Sequence, residues 1–60
     1  MDNIEKRKIE KYLIDKYGSD NVVKTTLFPG FVEMVVFEHD YAKRIRGWIQ
    51  DGEIKTIEIK

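Results

Sequence analysis

The spacing of apolar residues changes once along this chain, across the polar segment of residues 18–21. Before that segment, apolar residues recur at about 100° per residue, which places a single apolar stripe along a helix. The stripe consists of Ile9, Tyr12, Leu13 and Tyr17. After the segment the spacing becomes two, and β-branched and aromatic residues predominate, as is typical of strands. The sequence therefore predicts one amphipathic helix followed only by β-strands.

The helix is predicted over residues 3–17, which contain no Gly or Pro. Asp2 or Asn3 precedes it with a side-chain oxygen that accepts hydrogen bonds from the free amides of the first turn. Gly18 follows it and can adopt the left-handed backbone that commonly ends a helix. Both ends of the predicted helix therefore carry suitable capping residues.

Three turn signals divide the remainder of the chain into four strands. They are Pro29-Gly30, His39-Asp40-Tyr41 and Asp51-Gly52. Asp51-Gly52 suits the positive φ values of a two-residue type I′ turn. Pro29-Gly30 suits a type II turn, which splays the strands and so favours a longer loop. The strands are expected at about residues 22–28, 31–39, 42–50 and 53–59.

The pairing of strands β2 and β3, residues 31–39 and 42–50, decides which side of the sheet is buried. A two-residue turn at Asp40-Tyr41 pairs Val36 with Ile45 and places apolar partners together on one face. The same register sets Gly47 opposite Met34, where it allows the helix to approach closely or marks a β-bulge. The predicted fold is α+β, with an N-terminal amphipathic helix packed on one face of a four-stranded antiparallel meander sheet. Its core face carries Val23, Thr25, Leu27, Val32, Met34, Val36, Ile45, Ile49 and Ile54.

The opposite face of the predicted sheet is also apolar. It carries Val22, Phe28, Phe31, Val35, Phe37, Trp48, Ile57 and Ile59. A monomer seldom exposes a continuous apolar patch larger than a few hundred Å², and one helix covers only one side of the sheet. A β-bulge near Thr56 is the alternative for Ile57 and Ile59, because an inserted residue reverses the facing of those that follow. In either case the phenylalanines and Trp48 remain exposed unless another molecule packs against them.

The amino-acid composition limits which kind of molecule covers this second face. In 60 residues there is no Cys, and 11 Lys and Arg balance 11 Asp and Glu. We expect a single small domain, residues 1–60, that is too short to bury a large core without help. Zero net charge argues against a general nucleic-acid binder and against an acidic mimic of nucleic acid. The absence of Cys excludes disulfides and thiolate chemistry, and it fits a reducing compartment.

Neither a signal peptide nor a membrane span is predicted. No apolar segment follows the charged N-terminal residues. The longest apolar run, Met34 to Phe37, is far shorter than the ~20 residues of a membrane helix. We therefore expect a soluble, cytoplasmic protein with no membrane partner.

His39 is the one histidine of the chain, and it lies between Glu38 and Asp40. Such residues can bind a metal or move a proton. Consecutive side chains near a strand point in alternating directions, however, whereas a metal or catalytic site needs converging groups. The glycines do not form a phosphate-binding pattern either. We expect no catalytic residues, no metal site and no cofactor, and hence a protein that is not an enzyme.

The segment from Tyr41 to Trp48 holds the one local excess of positive charge. Because strand side chains alternate, Arg44, Arg46 and Trp48 share a face, where arginines can bind phosphate and tryptophan can stack on a base. With Lys55, these residues form the nucleic-acid-binding alternative. A net charge of +2 over residues 41–52 is small for a phosphate-binding surface, so we favour protein binding.

The residues on this face, Arg, Trp and Phe, are also of the types that contribute most to binding at protein interfaces. The predicted protein-binding residues are Phe31, Val35, Phe37, Arg44, Arg46 and Trp48. We expect the partner to be another protein, bound through this second face or an edge of the sheet, and in the simplest arrangement a second copy that forms a homodimer.

The small size of the chain and its many Ile, Lys and Glu residues give it a resemblance to a broad group of proteins. In these features it is similar to small accessory proteins of phages and mobile elements from AT-rich bacterial hosts. The resemblance implies a protein that inhibits or adapts a host protein.

Overall fold

Residues 2–59 are described by a computed structural model of the chain. They form helix α1 (Asn3–Tyr17), a 3-10 turn (Ser19–Asn21), and strands β1 (Val22–Leu27), β2 (Val32–Glu38), β3 (Tyr41–Gln50) and β4 (Glu53–Ile59). The strands pair in the order β1-β2-β3-β4, each antiparallel to its neighbour. Helix α1 packs on one side of this sheet. The predicted α+β fold with a meander sheet is confirmed.

Helix α1 begins at a capping box. The Asp2 carboxylate accepts the backbone N–H of Glu5 at 2.8 Å, and the Glu5 side chain accepts the backbone N–H of Asp2. These bonds satisfy amides that the first turn of a helix leaves free. The helix ends at Gly18, where φ is 92° and the N–H donates to the Ile14 carbonyl at 2.7 Å.

The core lies between α1 and the sheet. Ile9 and Leu13 are fully buried, and Ile14 and Tyr17 pack against the same cluster. Tyr12 is 42% exposed, so its predicted place on the buried stripe is wrong. The buried side of the helix includes Ile14 in place of Tyr12, and with this orientation the helix lies across the central strands. The fully buried side chains are Ile9, Leu13, Val32, Met34, Val36 and Ile45.

Strands β2 and β3 are joined by a two-residue turn at His39 and Asp40, one residue earlier than predicted. Their φ angles are 54° and 70°, the two positive values that a type I′ turn requires. A turn at Asp40 and Tyr41 would force the bulky Tyr41 into this left-handed region, which His and Asp enter more readily. Strand β3 therefore begins at Tyr41.

The earlier turn changes the pairs but not the faces. Val36 pairs with Lys43 and not with Ile45, and Gly47 pairs with Val32 and not with Met34. The predicted pairs were wrong by two positions. Because side chains alternate with a period of two, the residues of β2 and β3 keep their predicted faces.

The turn at Asp51 and Gly52 has φ values of 53° and 78°, so the predicted type I′ turn is confirmed. The pairing of β3 with β4 runs without interruption from Gln50 with Glu53 to Arg44 with Ile59. The alternative of a bulge near Thr56 is not found in these pairs. Ile57 and Ile59 therefore lie on the side of the sheet away from the helix.

Strand β1 carries the one register shift, at Val23. Lys24 pairs with Val35 while Val22 pairs with Val36, so Val23 is the inserted residue of a β-bulge. Val22 packs against the core and Val23 is 59% exposed. The predicted facing of these two valines was wrong, because the inserted residue reverses it.

The connection between β1 and β2 covers residues 28–31, so both strands are one residue shorter there than predicted. It is closed by the Phe28 N–H, which donates to the Phe31 carbonyl at 2.9 Å. Gly30 does not adopt the positive φ of a type II turn. The expected longer loop is present, but it is not a type II turn.

Gly47 lies directly beneath α1. A β-carbon at this position would stand 2.7 Å from Ile9 Cγ2 and 3.6 Å from Leu13 Cδ1. Gly47 pairs regularly with Val32 on one side and Thr56 on the other. Of the two roles predicted for this glycine, close approach of the helix is therefore confirmed and the bulge is not found.

Candidate protein-binding face

The sheet surface opposite α1 carries the candidate site, and we term it the outer face. Phe37 and Ile57 are 50% and 53% exposed. Phe28, Phe31, Val35, Trp48 and Ile59 are partly buried by their neighbours on the same face. The polar residues among them are Lys24, Thr26, Glu33, Arg44, Arg46, Gln50, Glu53 and Lys55.

A stack of aromatic and arginine side chains occupies one end of the outer face. The rings of Phe28 and Phe31 stack with centroids 4.7 Å apart and an interplanar angle of 20°. The Arg46 guanidinium lies over the Phe31 ring, with its carbon 4.9 Å from the centroid. A cation over a ring face is attracted by the ring quadrupole. The stack therefore holds Arg46 in place beside the apolar residues.

Glu33 lies between the two arginines of the face. Its Oε1 accepts a hydrogen bond from Arg46 Nε at 3.0 Å, and Arg44 Nε is 3.9 Å away. The Glu33 side chain is only 17% exposed, whereas those of Arg44 and Arg46 are 57% and 42% exposed. Glu33 thus orients Arg46 through a hydrogen bond and holds Arg44 at the longer distance of an ion pair.

A shallow open depression lies beside this cluster. It is lined by Gly30, Phe31, Arg46, Trp48, Ile57 and Ile59. The Trp48 indole N–H donates to Gln50 Oε1 at 3.3 Å, which fixes the polar edge of the ring along the strand. The depression is apolar with one cationic side, a shape and chemistry suited to an apolar side chain of a partner.

The structure brings together all six predicted protein-binding residues, because Phe31, Val35, Phe37, Arg44, Arg46 and Trp48 lie on the outer face. Lys55, the fourth residue of the nucleic-acid alternative, lies opposite Trp48 on the same face. Its Nζ forms an ion pair with Glu53 at 2.9 Å. Of the four basic side chains on the described part of this face, three contact a carboxylate, which weakens the case for phosphate binding.

Sequence reasoning did not include Phe28, Glu33 or Ile57 among the site residues. Glu33 matters because it holds both arginines, and Ile57 because it is half exposed at the edge of the depression. The alternation along β2 and β4 places both on the outer face. The alternation of side chains therefore predicts which face Glu33 and Ile57 occupy. It does not predict the contacts of Glu33, because these join residues up to 13 positions apart in the sequence.

Lys43 forms a second polar cluster on the helix side of the sheet. Its Nζ lies 2.7 Å from Glu38 Oε1 and 3.6 Å from Glu58 Oε1. The hydrogen bond from Lys43 lowers the pKa of Glu38, and the same bond raises the pKa of Lys43. Both groups are thus held in their charged forms. Lys43 and Glu58 also line a shallow depression, together with Tyr41, Ala42 and Ile59.

His39 is exposed at the β2–β3 turn. Within residues 2–59, no three side chains of His, Asp or Glu are grouped closely enough to hold a metal ion. No helix in that range has the length and apolar character needed to cross a membrane.

Comparison of the chain with protein families, with curated protein sequences and with solved structures found no match.

Proposed function

We propose that this chain is a non-enzymatic protein-binding module that binds its partner through the outer face. The observation that carries the proposal is the exposure of Phe37 and Ile57, 50% and 53%, on a sheet surface where further aromatic residues surround them. Helix α1 packs on the other side of the sheet and cannot cover them. An exposed apolar patch rimmed by polar residues is typical of a protein interaction surface.

The chemistry of the outer face supports a protein partner. Trp48 and Arg46 are of the residue types that contribute most to binding energy, and they stand beside a depression that can receive an apolar side chain. The arginines are also pre-oriented by Glu33 and Phe31, so less conformational freedom is lost when a partner binds.

A nucleic-acid partner is supported less well by the same residues. Glu33 places a carboxylate between Arg44 and Arg46, where it repels a phosphate that approaches both. Affinity for nucleic acid comes largely from unpaired positive charge that displaces counterions. The outer face has few such charges, and the chain as a whole has a net charge of zero.

The likeness in size and composition to phage and mobile-element accessory proteins supports a finer form of the proposal. In that form the bound protein is a host protein, which this chain inhibits or adapts. The proposed location is the cytoplasm, a reducing compartment that suits a chain without cysteine.

Affinity capture with matched variants tests the proposal. Ile57→Lys places a charge on the outer face, and Ile4→Lys makes the same change at a helix residue that is 70% exposed. We expect the wild type and Ile4→Lys to retain the same host protein at 0.15 M and 0.5 M salt, conditions that separate apolar from phosphate-based binding. Ile57→Lys should lose that protein.

Two results contradict the proposal. Equal capture by Ile57→Lys and the wild type would place the binding surface elsewhere. Binding of labelled single-stranded or duplex oligonucleotides that weakens steeply with salt and is lost in Arg44→Gln would favour the nucleic-acid alternative.

A further inference from the structure

We infer that the outer face is covered by a second copy of this chain, in a two-fold dimer that packs sheet against sheet. The inference rests on the proposed function, since it names the occupant of the same surface in the free protein; a host protein that binds the outer face replaces this second copy. In such a dimer Phe37 and Ile57 lie between two sheets that stack about 10 Å apart, and the two α1 helices lie on the outside.

The area of the outer face fits a stable dimer. The molecule measures 33 × 21 × 17 Å, and its longest dimension matches the ten residues of β3 at about 3.3 Å each. The sheet therefore forms one of the sides that contain this longest dimension. A side of 33 × 17 or 33 × 21 Å is roughly a sixth to a fifth of the 4343 Å² accessible surface, or about 750–900 Å², close to the ~800 Å² that each partner buries in a standard interface.

The size of the core gives a second reason. Among residues 2–59, six apolar side chains are buried to 1% exposure or less, all of them between α1 and the sheet. Chains of this length seldom gain enough stability from one such core and commonly rely on a disulfide, a metal or association. This chain has no cysteine for a disulfide, and association is another of these devices. A dimer adds a second apolar layer on the uncovered side of the same sheet.

The charges of the outer face complement themselves. Both arginines approach Glu33 through Nε and reach the same carboxylate oxygen, Oε1. The Arg44 side chain is 57% exposed and, among the described residues, makes no hydrogen bond, so its guanidinium can reach a carboxylate of a second copy. A two-fold axis between these residues lets Arg44 of each copy donate to Glu33 of the other. Reciprocal contacts of this kind define a two-fold interface.

The mass of the protein in solution tests the inference directly. We expect light scattering and sedimentation to give about twice 7.1 kDa at micromolar concentration. Emission from Trp48, the only tryptophan, should shift to longer wavelength on dilution as the ring becomes hydrated. The dissociation constant should change little between 0.15 M and 0.5 M salt, because the interface is mainly apolar.

Matched substitutions locate the interface. Ile57→Lys and Phe37→Lys should each raise the dimer dissociation constant by at least about 100-fold, because each dimer would bury two unpaired ammonium groups. Ile4→Lys should leave it unchanged. Ile57 and Phe37 are half exposed within one chain, so the monomeric variants should keep the wild-type far-ultraviolet circular dichroism spectrum.

The possible failures are distinguishable. A wild type that stays monomeric at 1 mM overturns the dimer and leaves the proposed function to be decided by the capture experiment. A dimer that Ile4→Lys disperses, and that Ile57→Lys and Phe37→Lys leave intact, overturns the dimer arrangement inferred for the outer face. If host-protein capture also survives Ile57→Lys, the outer face is not the binding surface and the proposed function fails too.

Discussion

Replacing Gly47 by alanine tests how closely the helix approaches the sheet. The new β-carbon would lie 2.7 Å from Ile9 Cγ2, well inside the normal contact distance of about 3.5–4.0 Å between carbon atoms. Ile9 is fully buried and β-branched, so its methyl group has few alternative positions. Helix α1 must therefore move away from β3 or the Ile9 side chain must leave its rotamer.

Two opposing effects set the size of the change. Overpacking of this kind costs about 1–3 kcal/mol, whereas replacing glycine by alanine recovers about 0.4–1 kcal/mol through the less flexible unfolded chain. The midpoints of these two ranges give a net loss of about 1.3 kcal/mol, with about 2.6 kcal/mol as the upper bound, a substantial part of the roughly 3–9 kcal/mol expected for a chain of this length. The corresponding fall in Tm is about 4–8 °C for each kcal/mol lost.

A double-mutant cycle with Ile9→Leu identifies the cause. Leucine keeps the buried volume but has no methyl group on Cβ, so the contact with residue 47 is removed. We expect Gly47→Ala to be destabilising in the wild type and nearly neutral in the Ile9→Leu background. Urea unfolding at one fixed protein concentration measures each free energy of unfolding. An equal loss in both backgrounds, or no loss in the wild type, would refute the reasoning.

Three further changes have defined outcomes. Ile45→Ala should lower the free energy of unfolding by about 3 kcal/mol, because Ile45 is 1% exposed in the core; a loss no larger than that of the exposed control Val23→Ala would contradict this in urea titrations. Asp40→Gly should raise stability by about 1 kcal/mol, since it relieves a φ of 70°, and an unchanged or lower Tm would count against the assigned turn. Glu38→Gln should make the free energy of unfolding depend less on pH in the acidic range. The hydrogen bond from Lys43 holds the folded-state pKa of Glu38 below its ordinary 4.5, so its contribution is present above that pH and is lost as pH falls further; parallel thermal unfolding profiles from pH 6 to 3 would argue against it.

The order and type of the elements could be predicted because each boundary has its own chemistry. Gly18 ends the helix, and Asp51-Gly52 specifies a type I′ turn from two residues alone. The β2–β3 turn was placed one residue late although a signal was present. His and Asp tolerate positive φ better than Tyr does, and a type I′ turn needs two such residues in succession.

The facing of Val22 and Val23 could not be predicted from local chemistry. The two residues are identical, so neither is better suited to the core by its own nature. Their facing is set by the bulge, which depends on how β1 meets β2 and α1. The role of Glu33 was hidden for a related reason, since its contact with Arg46 joins separate strands. The candidate face itself was accessible, because alternation along each strand determines it.

The bulge at Val23 also bears on how far this sheet could extend by adding strands. Open-ended growth of a β-sheet requires a regular backbone edge on both sides, to which a further strand can hydrogen-bond. Strand β4 offers such an edge along seven residues, while the outer edge of β1 is broken at the bulge. A further strand added beside β1 would meet an irregular backbone at Val23, so we expect this edge to be the poorer template for sheet growth in a small chain that has no disulfide to hold it folded.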